Sequence, residues 1–354
     1  MLNMKNLILS IVFILVLIGV SFYYYEFVYI PSAVKLSPPP DLPFFSVYYV
    51  YQIQPTSPVT INFGSEAVSA AGLGPKIERD LRNIKQMGFE GVKLSFHFRG
   101  TTYFSERIAL KAAKENLYPI GILMGHSSKP KEKAFTEDEL REWESFVRTE
   151  VRANKGIIYF WEVWNEPDLD LFRYGTPEEF LTLLKRTYKI IKEENPQAKV
   201  IVTLDAFDRQ PREFSEELLS LGGGDYFDIL SFHPYGANPY IREDVFNESI
   251  VKEKEMLARY GNRWPLCITE IGQPASEVSE EKQADLAELV FKTAYKEKIP
   301  IVWLHYSDQR AYQIEESFGW GLLDINGNPK PVLERIKKII QEAGTNHSNP
   351  SVGL

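Results

Sequence analysis

Short apolar runs rich in β-branched residues alternate along the chain with longer stretches in which apolar side chains recur every three or four positions. The first pattern predicts buried strands and the second predicts amphipathic helices. The predicted strands after the first are 92–96, 119–124, 157–163, 199–204, 227–232, 265–271 and 301–305. The predicted helices are 75–87, 105–116, 136–153, 177–194, 213–221, 245–260, 279–297 and 331–343. This alternation is typical of an α/β protein with a parallel sheet.

The first strand has two candidates in the sequence. Residues 44–51 are an almost continuous apolar and aromatic run, as expected for a strand buried on both faces, whereas 59–63 is shorter. We predict the strand at 44–51, which leaves 52–74 as a long first loop. Strand–helix units repeated over about 300 residues then favour a (β/α)8 TIM barrel. A doubly wound open sheet is the alternative, but it normally has a glycine-rich turn after its first strand, which this sequence lacks.

An uncharged apolar segment occupies residues 7–25, close to the ~20 residues that cross a bilayer as a helix. Lys5 precedes the segment, and tyrosines lie at its far end, as in an interfacial aromatic belt. We therefore expect a single N-terminal transmembrane helix, an uncleaved signal anchor with the remaining chain outside the cytoplasm. The alternative is a cleaved signal peptide and secretion. The predicted division is an anchor at 1–30, a proline-rich linker at 31–43, the barrel at 44–343 and a polar tail at 344–354.

Composition narrows the possible partners. The net charge is −8, with 44% hydrophobic and 25% charged residues, so the chain has the profile of a globular protein without the basic excess that nucleic acid requires. The single cysteine, Cys267, excludes an intrachain disulfide and falls within a predicted strand. We expect a carbohydrate substrate and a membrane contact through the N-terminal helix, and no nucleic acid, cofactor or metal.

Counting the predicted strands places two glutamates at strand ends. Glu166 ends the fourth predicted strand and Glu270 ends the seventh, three βα units later. In a TIM barrel the carboxyl ends of the strands carry the chemistry, and these two strands lie across the mouth from each other. Hydrolysis of a glycosidic bond needs one carboxyl group to protonate the leaving oxygen and another to attack or assist at the sugar carbon. The pair therefore predicts a glycosidase.

These residues carry a family resemblance. The stretch WEVWNEPD at 161–168, together with TEIG at 269–272, resembles glycoside hydrolase clan A over the whole barrel. It is closest to the β-xylosidase/α-iduronidase type, and cellulase- and mannanase-type families share much of the pattern. The resemblance implies a retaining enzyme with Glu166 as acid/base, Glu270 as nucleophile and Asn165 bonded to the sugar 2-hydroxyl. A retaining mechanism works by double displacement on an oligo- or polysaccharide.

The resemblance also suggests supporting residues. On strand six it makes Tyr235 the residue that orients the nucleophile, and His233 shares its face of the strand. On strand eight, Trp303 would floor the subsite of the reacting sugar, with His305 on the same face. Trp320 is a candidate for lining the cleft from the last loop.

Strand two departs from the clan pattern. Lys93 stands where the clan usually has an arginine that supports the nucleophile, so the charge is kept without the bidentate fork. Arg99, beyond the strand end, is a possible substitute.

Histidines near strand ends leave a rival interpretation open. These are His97, His126, His233 and His305, and a metal-dependent hydrolase on the same fold would use such residues as ligands. The first predicted strand has no His-x-His pair, and a metal site would leave both glutamates unexplained. We therefore expect these histidines to bond sugar hydroxyls. A catalytically inactive carbohydrate-binding barrel and a surface-glycan transglycosylase are further alternatives that use the same residues.

Overall fold

The computed structural model describes residues 34–49, 52–53, 60–63, 66–100, 103–125, 134–169, 172, 174–205, 213–236, 240–308 and 319–348. The predicted transmembrane segment 7–25 lies outside these residues. Within them, no helix combines the length and the apolar character needed to cross a bilayer.

The central sheet closes into a barrel of eight parallel strands. Its strands, in chain order, are β1 Phe45–Tyr48, β5 Gly91–His97, β6 Tyr118–Met124, β7 Phe160–Val163, β8 Lys199–Thr203, β9 Ile229–Ser231, β10 Leu266–Ile271 and β11 Ile301–Trp303. Strand β1 pairs with β11 on one side and with β5 on the other, which closes the ring. The predicted TIM barrel is confirmed, and the open doubly wound sheet is wrong.

Helices follow the strands around the outside of the barrel. They are α1 Ala70–Gln86, α2 Tyr103–Lys114, α3 Glu137–Ala153, α4 Pro177–Glu194, α5 Glu213–Ser220, α6 Glu243–Arg259, α7 Glu280–Glu297 and α8 Pro331–Ser348. Thr136 and Thr176 each form a capping box with the glutamate three residues later, and Ser279 accepts from the backbone of Lys282. Such caps satisfy backbone N–H groups that a helix start leaves unpaired, which explains where these helices begin.

The segment between the first strand and the first helix differs from the prediction. It contains a small antiparallel sheet, β2 Gln52–Ile53, β3 Thr60–Phe63 and β4 Glu66–Ser69, instead of one long loop over 52–74. The sequence of β3 alternates polar and apolar residues, a pattern typical of antiparallel strands. Helix α1 then begins at Ala70, five residues before the predicted start at Pro75.

The described part of the predicted linker packs under the barrel. The Leu36 backbone N–H donates to the Gly156 carbonyl at 2.8 Å, and the Tyr159 hydroxyl donates to the Leu36 carbonyl at 2.9 Å. Leu42 is buried among inward-facing barrel residues, including Phe160 and Val302. Residues 34–43 therefore cover the amino-terminal end of the barrel and do not form a free spacer.

The last helix runs past the predicted boundary. Helix α8 extends to Ser348, so the tail predicted from 344 begins inside it. Gly344 suggested a helix end, but a glycine within a helix costs only about 1 kcal/mol relative to alanine. Helix α8 is held against the rest of the protein by its buried side chains, which include Ile336, Ile339, Ile340 and Ala343.

Alternation along the strands sorts side chains between two environments. Trp161 and Val163 of β7 pack outward against the helix layer, whereas Phe160 faces an apolar lower layer inside the barrel. Glu162 shares the inward parity of Phe160 and lies one step higher. At that level the barrel interior changes from apolar to polar, and the candidate site lies above it.

Candidate active site

A strained turn after β7 presents Glu166. Both Trp164 and Glu166 adopt left-handed backbone conformations, with φ of 66° and 48°. Such conformations cost of order 1–3 kcal/mol and persist only where the surroundings enforce them. Here the Trp164 indole donates to the Phe172 carbonyl at 2.7 Å and its ring meets Tyr174 edge-on at 4.9 Å. A Cβ on Gly125 would lie 1.9 Å from the Trp164 ring, so only glycine fits beneath it.

An irregularity in β10 turns two consecutive side chains inward. Ile268 pairs with Ile301 and Ile271 pairs with Trp303, so three steps on β10 match two on β11. This is the extra residue of a β-bulge, a feature frequent beside active sites. As a result the Thr269 hydroxyl donates to Glu162 inside the barrel, while the next side chain, Glu270, accepts from the Tyr235 hydroxyl at 3.3 Å.

The two glutamates converge on His233. One oxygen each from Glu166 and Glu270 and one ring nitrogen of His233 all lie within 4.8 Å of one another. The shortest contact joins His233 Nδ1 to Glu166 Oε1, at 2.6 Å. Glu166 is buried, whereas Glu270 is only half-buried. The structure thus brings the two predicted catalytic carboxyl groups together at the carboxyl ends of strands β7 and β10.

Burial governs how these groups titrate. It raises the pKa of Glu166 to about 8, with the neighbouring Glu162 carboxylate adding to the rise and Lys93 opposing it. Burial also raises the pKa of Glu270, with the Glu166 carboxyl group adding to the rise and the Lys93 charge opposing it. Burial lowers the pKa of His233, so its ring is neutral at neutral pH. A proton is therefore available on Glu166 at neutral pH, as a general acid requires.

A charged pair lies directly beneath the carboxyl groups. Lys93 Nζ and Glu162 Oε2 are 2.7 Å apart, and neither side chain has any exposed surface. The Glu162 carboxylate also accepts from Thr203 at 2.5 Å and from Thr269 at 2.9 Å. Burial by itself would raise the pKa of Glu162, but the Lys93 charge and the hydrogen bonds from Lys93 and Thr203 hold it below its usual range. Glu162 is therefore an ionised carboxylate sealed inside the barrel.

Sequence reasoning did not assign Glu162 a role, although a signal was present. It is the one charged residue of the apolar run 157–163, and it shares the inward parity of Phe160. Charged side chains are almost never fully buried unless paired, so this position calls for an inward-facing cation. Lys93, on the third residue of β5, is that cation.

Lys93 was predicted to bind substrate or support the nucleophile. The structure places its ammonium group against Glu162 and the Thr269 carbonyl, the latter at 3.2 Å, where it is shielded from any sugar. Its charge still lowers the pKa of Glu270 from below. Arg99 does not substitute for it, because its guanidinium pairs with Glu142 of α3 at 2.6 Å on the surface.

The structure corrects the predicted position of Trp303. It has no exposed surface and packs outward against Phe291 of α7, with ring centroids 6.2 Å apart. Val302 occupies the inward position on β11 instead. The expectation that Trp303 floors a sugar subsite is therefore wrong.

Trp320 lies beside Tyr235, whose hydroxyl donates to Glu270. It is half-buried and meets the edge of the Tyr235 ring, with centroids 6.5 Å apart. The backbone carbonyl of Trp320 accepts from the Trp303 indole at 3.1 Å. Trp303, which packs outward, therefore helps to fix the position of Trp320.

Two further candidates lie near this centre. Asn165 directly precedes Glu166 and is 9% exposed. His305 has a left-handed backbone with φ of 70° and packs edge-on against Tyr48 at 6.2 Å, and burial lowers its pKa to about 4. His126 lies outside the described residues. The roles assigned to all these residues stay predictions.

The metal interpretation falls on the same residues. Within the part of the chain that the structure describes, Glu166, His233 and Glu270 are the set whose ligand atoms lie close enough to hold an ion. Two carboxylates and one imidazole are an acceptable donor set for a divalent metal. The rival hypothesis therefore competes for the centre itself and does not require a second site.

Comparison with known proteins supports the fold. No protein-family model matches the chain, and no curated protein matches it either. Solved structures do match. A family 39 glycoside hydrolase from the gut symbiont Bacteroides cellulosilyticus superposes with a TM-score of 0.62 at 18% identity, covering 84% of this chain and 63% of that one.

Two other enzymes give similar values. GH5_18 from Streptomyces cattleya, solved with GlcNAc, has a TM-score of 0.59 at 16% identity, covering 77% of this chain and 76% of its own. A GH2 β-galacturonidase from Eisenbergiella tayi, solved with galacturonate, has a TM-score of 0.55 at 17% identity, covering 79% of this chain and 50% of its own. The chain thus spans between half and two thirds of the family 39 and GH2 proteins. At these identities the likeness establishes the barrel fold that the clan A resemblance predicts.

Proposed function

We propose that the chain is a retaining glycoside hydrolase in which Glu166 is the acid/base and Glu270 the nucleophile. The observation that carries the proposal is that oxygens of the two carboxyl groups lie within 4.8 Å of each other. Retaining enzymes hold their carboxyl groups about 5–5.5 Å apart, whereas inverting enzymes need about 6.5–9.5 Å to admit a water. The short separation favours direct attack on the sugar by one carboxylate.

The surroundings divide the two roles. Glu166 is buried, has a pKa raised to about 8 and therefore holds a proton for the leaving oxygen. Glu270 is half-buried, and the Tyr235 hydroxyl that donates to one oxygen and the Lys93 charge beneath it oppose the rise in its pKa that burial causes. In the first step Glu270 attacks the anomeric carbon while Glu166 protonates the departing oxygen. In the second step Glu166 takes a proton from a water molecule whose oxygen attacks the anomeric carbon, and Glu270 leaves as a carboxylate.

The substrate proposed is an oligo- or polysaccharide. The half-buried Trp320 offers an apolar ring beside Tyr235, suited to the C–H face of a sugar. Asn165 precedes the acid and is proposed to bond the 2-hydroxyl. The similar solved structures include enzymes bound to galacturonate and to GlcNAc, so both uronic-acid and hexosamine glycosides belong in the first screen.

We further propose that residues 7–25 anchor the enzyme in a membrane, with the catalytic domain outside the cytoplasm. The support is the uncharged apolar composition of that segment. Residues 34–43, which follow that segment after a short stretch, run under the amino-terminal end of the barrel, opposite the carboxyl groups. Fractionation of the expressed protein tests this, and full recovery in the high-speed supernatant without cleavage would refute it.

Activity on a panel of aryl glycosides and polysaccharides tests the main proposal. We expect turnover with retained anomeric configuration, read from the first-formed product by NMR. Glu270→Ala should abolish turnover and Glu166→Ala should slow it chiefly for poor leaving groups. Glu255→Ala on the exposed face of α6 is the matched control and should behave as wild type. Wild-type rates in Glu270→Ala would refute the assignment, and binding without turnover in the wild type would favour an inactive carbohydrate-binding barrel.

A further inference from the structure

The hydroxyl of Thr269 is the junction between the buried Glu162 and the catalytic centre. Its oxygen lies 2.9 Å from Glu162 Oε1 and 3.0 Å from His233 Nε2. His233 Nδ1, on the far side of the ring, lies 2.6 Å from Glu166 Oε1. A continuous chain of hydrogen bonds therefore runs from the sealed carboxylate, through one hydroxyl and one imidazole, to the proposed acid.

A hydroxyl has only one hydrogen to donate, which fixes the direction of this chain. Glu162 is an ionised carboxylate paired with Lys93, so its oxygens can only accept. The Thr269 hydroxyl also lies 2.6 Å from Ser231 Oγ, which can donate to it. A hydrogen bond to a charged group is about twice as strong as one between neutral groups, so the Thr269 hydrogen points at Glu162 and not at Ser231 or the imidazole. The Thr269 oxygen must then accept from His233, which places a hydrogen on Nε2.

We propose that the buried Glu162 carboxylate, acting through Thr269, holds His233 in the tautomer that carries its hydrogen on Nε2, so that Nδ1 accepts the proton of Glu166. Glu162 and Thr269 are positioning residues, because neither touches the substrate. The inference deepens the proposed function and rests on it for its kinetic consequence, but the tautomer can be measured without turnover.

Burial favours a neutral imidazole against the carboxylates around the ring. The groups that act on His233 are Glu162, Glu166, Glu270, Asp168 and Lys93, and Tyr235 faces the carboxyl groups from the same strand end. Burial is the largest effect and lowers the pKa of His233, with Lys93 adding to it, whereas the carboxylates of Glu270, Glu162 and Asp168 oppose it without reversing its direction. The proton shared across the 2.6 Å contact therefore resides on Glu166.

The arrangement serves both steps of a double displacement. An acceptor at Nδ1 stabilises the protonated form of Glu166, which is the form the first step consumes. After that proton has gone to the leaving oxygen, the Glu166 carboxylate faces a lone pair instead of a donor. This makes it a stronger base toward the water of the second step.

NMR of protein labelled with ¹⁵N-histidine tests the tautomer directly. The His233 signals are assigned with variants in which each of the other histidines is replaced by glutamine. We expect a protonated Nε2 and an unprotonated Nδ1 in the wild type at neutral pH. A protonated Nδ1, in a neutral or a charged ring, would overturn the proposal whatever the variants show.

Three variants test the part played by Thr269. Thr269→Val removes the acceptor of Nε2–H, so we expect the other tautomer and a Glu166 that loses its proton more readily. The alkaline limb of kcat/KM should move down by about one pH unit, a tenfold change in proton affinity. Thr269→Ser keeps the hydroxyl, and Thr203→Val removes a different donor to the same Glu162 oxygen. Both should keep the wild-type tautomer.

Each outcome separates the inference from the activity. A wild-type tautomer in Thr269→Val would show that Thr269 does not set it and would overturn the proposal. Thr269→Ala makes the same deletion without a new methyl group and replaces the valine variant if that one does not fold. An Nε2–H tautomer in a protein without glycosidase activity would refute the proposed function and leave the tautomer assignment standing.

Discussion

Replacing Lys93 by methionine isolates the buried ion pair at the base of the site. The change removes the ammonium group that lies 2.7 Å from Glu162 while keeping an unbranched side chain of similar length. Both partners have no exposed surface, so the variant leaves a sealed carboxylate without its cation. Breaking a buried pair in this way costs about 3–5 kcal/mol in the free energy of unfolding.

The double variant Lys93→Met/Glu162→Gln removes both charges and identifies the cause of the loss. Neutral replacement of a whole buried pair is often close to neutral for stability. The amide oxygen of glutamine can still accept from Thr203 and Thr269. We therefore expect the double variant to recover most of the stability that the single variant loses, with a large favourable coupling in the double-mutant cycle.

The stability difference should depend on pH in a defined direction. The folded pKa of Glu162 lies below its ordinary value, so the pair stabilises the protein above the unfolded pKa of a glutamate, about 4.3. That contribution is lost as the pH falls through the folded pKa. The folded pKa of Lys93 is raised, so its contribution is complete below its unfolded pKa, about 10.4, and is lost as the pH rises through the folded value. The difference between wild type and Lys93→Met should be largest between these limits.

Urea denaturation followed by tryptophan fluorescence at several pH values measures these differences. Lys189→Met is the matched control, because its pair with Glu193 is solvent-exposed on α4 and contributes about 0–1 kcal/mol. Equal unfolding free energies for Lys93→Met and Lys189→Met at neutral pH would show that the buried pair carries no special energy and would refute the reasoning.

Three more outcomes follow from the same contacts. Because Glu166 must be protonated in the first step and its pKa is about 8, kcat/KM should fall as the pH rises through that value; a flat profile up to pH 10 would contradict this. Trp303→Ala should lower the free energy of unfolding by about 3–5 kcal/mol, whereas Trp320→Ala should mainly raise KM, as urea titrations and steady-state kinetics would show; the reverse pattern would restore Trp303 to the cleft. Dialysis against EDTA should leave turnover unchanged, and loss with recovery on adding zinc would support a metal at Glu166, His233 and Glu270.

Strand counting was enough to place the two glutamates. Glu166 and Glu270 follow strong β-branched runs, and in a closed parallel barrel all such strand ends meet at one mouth. Their convergence therefore depends on the number of intervening units and not on loop details. His233 and Tyr235 follow β9, which ends at Ser231, and both contact the catalytic carboxyl groups as their two-residue spacing predicted.

The regular alternation of side chains along a strand did not predict the orientations of Trp303, Thr269 and Glu270. The clan resemblance predicted Trp303 at the sugar subsite, with His305 on the same face of the strand, but β11 ends at Trp303 and His305 has a φ of 70°. The bulge in β10 likewise turns both Thr269 and Glu270 inward, which simple alternation forbids. Such irregularities depend on pairing with neighbouring strands, which a local sequence pattern does not contain.

The buried ion pair of Glu162 and Lys93 could have been predicted from the sequence. Glu162 and Lys93 are charged residues in the middle of otherwise apolar strands, and each has inward parity. Two buried charges of opposite sign on strands of one barrel need each other, since neither is stable alone in an apolar interior. The contacts of Thr269 with Glu162 and His233 could not have been predicted from the sequence, because they depend on the bulge in β10.

The anomeric configuration of glycosyl azides formed by two variants tests the central claim most directly. In Glu270→Ala, azide replaces the missing nucleophile in a single displacement, so the account predicts a glycosyl azide of inverted configuration. In Glu166→Ala, azide replaces water in the second of two displacements, so the account predicts retained configuration. The opposite pair of configurations, or no azide product from Glu270→Ala with an active wild type, would contradict the assignment of Glu270 as nucleophile and Glu166 as acid/base.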